Sequence, residues 1–282
     1  MEIKFHCDSE HNFKSNSGKV RAFLYTDYSI EAHNHDFYEM NIILNGSGTH
    51  QIENLCFKVK TGDVFMIPPM TVHAYYDTKS LDVYHILLHK NFISDNQIES
   101  VNIPGFIQLI EIEPFLRQHL PSAKFLHLSS SQLSQIKSEL TFIEENGYFD
   151  SEELLPLKYH STWKILYRLS LLLHSQLNEP QKQPSDKYEA PIITALEYMH
   201  RNYGSKITID TLCHQAYLSR STFLRNFHMI CGCSPMKYLN EYRCAKALEI
   251  MENSDFSKTE IAHLCGFYDL SHMERMLKHR IK

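Results

Sequence analysis

Four side chains in the N-terminal half, His33, His35, Glu39 and His73, have the types and spacing to hold a cation or a polar molecule. His33, His35 and Glu39 are separated by even numbers of residues, so on an unbroken strand they share one face. His73, brought in on a neighbouring strand, would complete a set of imidazole nitrogens and one carboxylate that suits a divalent metal. The same groups without metal are hydrogen-bonding partners, and with Tyr38 they would line a pocket for a small polar ligand such as a sugar. A second chemistry lies in the last third of the chain. Arg225 and Arg275 recur in matching surroundings, and the guanidinium is shaped for paired hydrogen bonds to guanine O6 and N7.

The surroundings of these arginines form a repeat. Leu212 matches Ile261 and Ala216 matches Cys265 at an offset of 49. One extra turn residue makes the offset 50, which pairs Ser221 with Ser271, Phe223 with Met273, Arg225 with Arg275 and Phe227 with Leu277. Each copy reads as a short helix, a tight turn and a second helix with a basic residue on its outer face. Two such units can enter successive major grooves on one face of DNA, about 34 Å apart. The expected helix ends agree. Ser257 with Glu260 is a capping box, Ser219 an N-cap, and Ser234-Pro235 a cap followed by proline at the first helical position. Gly232 and Gly266 stand where the chain must turn sharply, and residues 236–251, free of proline and glycine, read as one long connecting helix. A generic helical bundle would share the caps and the apolar spacing, but not two aligned copies of them.

Residues 190–282 resemble the DNA-binding domain of the AraC/XylS family of bacterial transcription regulators. The residues that carry the resemblance are Leu212, Ala216, Ser219, Phe223, Arg225, Phe227, Gly232, Ser234-Pro235, Tyr238, Arg243, Ala247, Ile261-Ala262, Gly266-Phe267, Asp269, Ser271, Arg275 and Lys278. It implies recognition helices over 219–229 and 270–278. The base-facing positions would be Arg220, Ser221, Thr222 and Arg225 in the first, and Leu270, Ser271, His272 and Arg275 in the second. Ser221, Thr222 and Ser271 suit phosphates or adaptable polar contacts. Two features depart from the family. Met273 and Leu277 stand where members usually carry phenylalanine. The segment Gly232-Cys-Ser-Pro-Met-Lys-Tyr238 has no counterpart between the second copy and Lys282. Either the chain is a shortened form or its second unit is less well buttressed, so the first unit's contacts carry more weight.

The chain has 282 residues, 43% apolar and 22% charged, which fits globular domains with full cores, two of them by length. The first residues lack the apolar stretch of a signal peptide, and no run approaches the roughly 18 apolar residues of a membrane span. Seven scattered cysteines fit reduced thiols better than a disulfide framework, with Cys231 and Cys233 read as packing residues. A cytoplasmic location is therefore expected. Residues 187–282 hold 13 Lys+Arg and 10 Asp+Glu, against 15 and 23 in residues 1–186, so the positive balance falls on the part that would meet phosphates.

To about residue 93 the chain reads as short strands, at 20–28, 37–44, 49–53, 56–60, 64–67, 73–77 and 81–89, with a hairpin signal at Asn45-Gly-Ser-Gly48. His33-x-His35-x3-Glu39-x6-Gly46 and Gly62-x5-Pro68-x4-His73 resemble the two signature motifs of the cupin barrel, with Pro69-Met70 where the second usually has glycine. In cupin enzymes that constellation binds iron, manganese, nickel or zinc. Sensor domains of AraC-type regulators keep these histidines and the Phe-Tyr-Glu stretch while binding an organic effector, so a ligand-bonding or structural role is favoured over metal and no cofactor is expected. The other histidines read as ordinary surface or core residues. Leu133, Ile136, Leu140 and Ile143 form an amphipathic stripe, and a second helix over 157–177 carries Trp163, Leu166, Leu169 or Ser170 and Leu173 on one side. The polar, proline-containing segment at 178–187 reads as a linker.

The expected fold class is α+β. A cupin-like antiparallel β-barrel (1–130) senses the effector; a helical connector (131–178), a linker (179–189) and an all-α domain with two helix-turn-helix units (190–282) follow. The expected function is a DNA-binding regulator, not an enzyme, that activates transcription under control of a small effector such as a sugar. Its expected partners are double-stranded DNA, the effector, RNA polymerase and a second copy of the chain, with no membrane. The rival reading is a cupin metalloenzyme, a dioxygenase or isomerase, with an appended helical domain.

Overall fold

The computed structural model describes residues 2–13, 18–94, 102–120, 123, 125–147, 152–177 and 188–280. Its contacts divide the chain into two units, residues 1–179 and 180–282.

The first unit is built on β1 (Phe5–Cys7), β2 (Val20–Tyr25), β3 (Ile30–His35), β4 (Tyr38–Ile52), β5 (Leu55–Lys60), β6 (Asp63–Ile67), β7 (His73–Leu88) and β8 (Leu126–His127). The strand path runs β1-β3-β7-β4-β6-β8, with β2 added on β7 and β5 on β4. Among the described residues this path does not close on itself, and β1 joins β3 in parallel, so the sheet is neither a closed barrel nor wholly antiparallel.

Two long strands replace four expected short ones. β4 runs straight through Asn45-Gly-Ser-Gly48, and the pairing with β7 shifts register between Ile43 and Thr49. Gly46 sits at φ +80°, and a Cβ there would lie 2.1 Å from the Ser80 carbonyl oxygen. The glycines therefore permit a bulged close crossing, not a hairpin. The reversal comes later, where Glu53-Asn54 join Ile52 to its partner Leu55 and Glu53 takes φ 51°.

Strand alternation gives this sheet two buried faces. Glu39, Asn41 and Ile43 share one face of β4, and Val83, His85 and Leu87 share one face of β7. On the other face the Tyr84 hydroxyl donates to the Leu140 carbonyl (2.9 Å), which places that face beneath helix 130–147. Burial on both sides explains the unbroken apolar run Ile86-Leu87-Leu88.

Helices α1 (Ser9–Asn12), α2 (Lys90–Ser94), α3 (Glu113–His119, continuing a π-helical turn Gln108–Ile112), α4 (Ser130–Gly147) and α5 (Leu155–Leu177) complete the unit. The expected stripe on α4 is buried throughout, as are Trp163, Leu166, Leu169, Ser170 and Leu173 on α5. Trp163 stacks on Phe92 at 4.9 Å, and the Tyr159 hydroxyl accepts from the Lys19 N–H, so α5 is packed within this unit.

The second unit contains α6 (Glu189–Asn202), α7 (Ile209–Gln215), α8 (Arg220–Cys231), α9 (Pro235–Asn253), α10 (Lys258–Leu264) and α11 (Leu270–Arg280). The linker expected at 179–189 lies mostly outside the described residues. Ser219, Ser234 and Ser257 each accept an N–H from the third residue on, and the Ser257–Glu260 capping box is complete. α9 is the single long helix that joins the two copies. Arg243, on α9 and nearly buried, donates to the carbonyls of Tyr203 and Ser205, both at 2.8 Å, and so ties α9 to the end of α6.

Candidate functional site

The two helix-turn-helix units superpose in their hydrogen bonds. Leu218 N–H reaches Cys213 O and Phe267 N–H reaches Ala262 O; Ala216 N–H reaches Leu212 O and Cys265 N–H reaches Ile261 O. Both turns use the left-handed region, at Tyr217 (φ 52°) and Gly266 (φ 73°). At Gly266 a side chain would also collide, since a Cβ would lie 2.3 Å from Tyr203 O and 2.8 Å from Arg243 Nη2. Asp269 then caps α11 by accepting the His272 N–H at 2.7 Å, as Ser219 caps α8.

Apolar residues seat both second helices. Phe223 and Phe227 are fully buried, and Met273 fills the equivalent place in the second copy with no exposure, so methionine replaces phenylalanine without opening the core. Opposite that buried stripe, α8 exposes Arg220, Ser221 and Arg225, with Thr222 half-buried, and α11 exposes Ser271 and Arg275, with His272 half-buried.

Two of the expected base-facing residues are engaged elsewhere. The Arg220 guanidinium pairs with Asp210 at 2.7 Å, and Leu270 packs partly against the core of the second copy. An apolar side chain at the first position of an amphipathic helix is drawn to the core it borders, which is why Leu270 turns inward. Tyr217 and Tyr268, 89% and 87% exposed at the two turns, flank the recognition helices and were not singled out by spacing.

In the first unit the sequence-expected groups converge on Glu39. His33, His35, Glu39 and His73 are all buried, and His33 is directly paired with His73 between β3 and β7. They do not share one unbroken strand: His33 and His35 end β3, and Glu39 follows a turn at the start of β4. Glu39 Oε2 lies 3.0 Å from His35 Nε2 and 3.5 Å from His73 Nε2, and Oε1 bonds His85 Nδ1 at 2.5 Å. Tyr38 is half-buried and precedes Glu39 on β4, where adjacent side chains point to opposite faces.

His85 and His50 belong to the cluster although they read as ordinary histidines. His50 stacks on Tyr75 at 4.1 Å and meets His73 edge-on at 5.7 Å. A signal existed for His85, which alternates with Val83 and Leu87 on β7, whereas His50 stands between Gly48 and Ile52, beyond the register shifts of β4.

Burial opposes ionisation of Glu39, but the imidazoles of His35, His85 and His73 outweigh it and hold the carboxyl well below its usual range. Burial pushes His33 down, and His50 and His73 far down, which favours their uncharged forms. His33 Nδ1 donates to Glu31 O (3.0 Å) and His35 Nδ1 to Phe37 O (2.6 Å), and His35 Nε2 faces Glu39.

Beyond the cluster, Arg117 is buried over the Phe65 ring at 5.0 Å, paired with Glu113 and donating to Met66 O. An open groove of about 700 Å³ flanks the same strands without reaching the imidazoles. It is lined by Lys4, Ile30, Ala32, Gln51, Tyr75 and Tyr76, among others. The carboxylate–imidazole cluster, not the groove, concentrates the chemistry.

Two family models match the chain, the AraC-like ligand binding domain over residues 21–153 and a helix-turn-helix domain over residues 212–282. The HTH-type transcriptional activator RhaS of Pectobacterium carotovorum subsp. carotovorum (strain PC1) is 23% identical over 249 residues, covering 87% of this chain and 82% of that protein. RhaS of Escherichia coli (strain K12 / DH10B) is 25% identical over 246 residues, with the same coverage. Among solved structures, ToxT from Vibrio cholerae O395 is similar at 12% identity and a TM-score of 0.35, covering 92% of this chain and 93% of that one. The DNA-binding domain of AdpA in complex with a target DNA is 27% identical, covers 32% of this chain and 82% of that one, and has a TM-score of 0.32.

Proposed function

We infer, from the premise that this chain belongs to the AraC/XylS family of transcription regulators, that it activates transcription by reading DNA with α8 and α11 under control of a small polar effector held in its first unit. The observation that carries this reading is the pair of superposable helix-turn-helix units, each with an arginine exposed opposite a buried apolar stripe. Arg225 and Arg275 take the base-edge role, and Ser221, Thr222, Ser271 and His272 the adaptable or phosphate contacts. Arg220 serves the backbone only if it leaves Asp210.

Activation, contact with RNA polymerase and work in the cytoplasm are proposed by analogy with the relatives, which are named transcriptional activators. A sugar suits the inner face, where imidazoles, Glu39 and the Tyr75 hydroxyl offer hydrogen bonds beside aromatic rings. Among the described residues no helix is long and apolar enough to cross a membrane. Pairing of two copies through α4 and α5 is proposed as the link to paired half-sites, and Phe142 and Leu171 remain partly exposed on those helices. The effector must bind the two arrangements of the dimer unequally, since equal binding shifts nothing.

The test is footprinting on DNA flanking the protein's own coding region, alone and with a panel of sugars. Expected are two protected patches about one helical turn apart, whose strength one sugar changes. Absence of sequence-specific protection overturns the DNA reading; protection that no sugar alters overturns the sugar alone.

A further inference from the structure

We propose that Tyr217 and Tyr268 grip the DNA backbone beside the two recognition helices, each donating its phenolic hydroxyl to a phosphate oxygen and laying its ring against the neighbouring deoxyribose. They act as positioning residues that fix the register in which Arg225 and Arg275 meet base edges. The inference rests on the DNA reading given above and assigns two residues that this reading leaves without a role.

Exposure is the first observation. Among the described residues these are the two most exposed large hydrophobic side chains, at 89% and 87%, and Met229, the next, is at 62%. A single exposed aromatic needs no explanation, but two at the same joint of a repeat do. Ring contact with His214, centroids 6.3 Å apart, leaves Tyr217 open. Tyr268 is tied by its backbone N–H, which reaches His272 Nδ1 at 3.4 Å, while its ring stays in solvent.

The second observation comes from the repeat itself. Leu218 and Phe267 make the same backbone hydrogen bond 49 residues apart, whereas the caps Ser219 and Asp269 are 50 apart. The residue inserted in the second copy is therefore Tyr268, and Tyr217 aligns with Gly266. Both aligned residues lie in the left-handed region, at φ 52° and 73°. Glycine adopts it freely, whereas a bulky L-residue there is strained. The second copy divides the work: Gly266 makes the turn and Tyr268 carries the ring. The first copy gives both tasks to Tyr217 and accepts the strain. Strain kept at an exposed turn, where glycine would fit, indicates a side chain retained for what it touches.

What it touches follows from where the turn lies. The N-terminal residues of a recognition helix reach base edges, so residues just ahead of its cap stand over the strand that borders the groove. Tyr217 is two residues ahead of the Ser219 cap, and Tyr268 is one ahead of Asp269. A phenol suits that place, because its hydroxyl donates to phosphate without adding charge and its ring offers an apolar face to the sugar. Such a contact is blind to sequence. It fixes register and leaves the choice of base to the arginines.

The test uses the full-length chain and the duplex it protects in footprinting, with ethylation interference to read single phosphates. Tyr217→Phe and Tyr268→Phe should each weaken binding about 2–10-fold, the size of one uncharged hydrogen bond, and each should weaken the interference signal at one phosphate of its own half-site. The salt dependence should not change, because no charge is removed. Tyr217→Gly separates contact from structure. It should weaken binding at least about 10-fold while its thermal midpoint is no lower than that of the unaltered chain. Equal affinity and unaltered interference in the phenylalanine variants overturn the inference, as does a Tyr217→Gly chain that loses stability and affinity together. Full DNA binding by Tyr217→Gly, which would leave the ring to a protein partner, overturns it too. No protection by the unaltered chain ends the DNA reading and this inference with it; an intact footprint indifferent to both tyrosines ends this inference alone.

Discussion

The interiors of the two units are finished to different degrees. Among the described residues, every buried side-chain polar atom without a hydrogen-bond partner belongs to the first unit, in His35, Asp36, Asn41, His50, His73, His85, Asn91, Gln108 and Arg117. The second unit also buries polar groups, but His200 bonds the Tyr238 hydroxyl at 2.6 Å, Asn226 bonds Thr222 O, and Arg243 bonds two carbonyls. A satisfied core is a scaffold, and its function has to lie on its outer face, where Arg225 and Arg275 stand. An interior with unspent hydrogen-bonding capacity is itself the functional surface.

The largest expected effect breaks the first unit from within. Arg117→Met leaves the Glu113 carboxyl, already pushed up by burial, without its partner. It should cost about 3–5 kcal/mol in urea unfolding. Replacing both residues with apolar ones of similar size should restore most of that loss; no recovery would mean that Arg117 acts through Met66 and Phe65 instead.

Next in size is the joint of the second unit. Gly266→Ala forces a side chain into a left-handed turn and against Tyr203 O, so a loss on the order of 3 kcal/mol is expected in thermal unfolding. The footprint over the half-site of α11 should weaken more than that of α8. The smallest effect is at a helix end. Ser257→Ala removes one side of the capping box and should cost about 1 kcal/mol without changing base preference.

The same contrast explains what the sequence revealed. In the second unit the informative features are local: caps three residues apart, glycine at a left-handed turn, apolar residues every three or four positions. They can be read without knowing what lies across the chain, and the helices follow them. In the first unit the fold depends on register between distant strands. Asn45-Gly-Ser-Gly48 has the composition of a hairpin, but only the approach of Ser80 shows that Gly46 is needed for a close crossing.

His33, His35 and Glu39 come together although a turn separates the two strands, so their shared parity is not what joins them. Tyr38 followed from the family resemblance and not from parity. His85 carried an alternation signal, but His50 became legible only once β4 and β7 were paired. Glu113 and Arg117 carried a signal, their four-residue spacing on a helix, but nothing local shows that the pair is buried.

The most direct test of the central claim is base-resolution footprinting of the unaltered protein beside Arg225→Ala and Arg275→Ala. Each arginine should read a guanine in its own half-site, so each substitution should cost about 1–3 kcal/mol and relax preference at one position in one half-site only. Unchanged affinity and preference in both variants, or loss spread evenly over both half-sites, would contradict the assignment of these two helices as the readers of sequence.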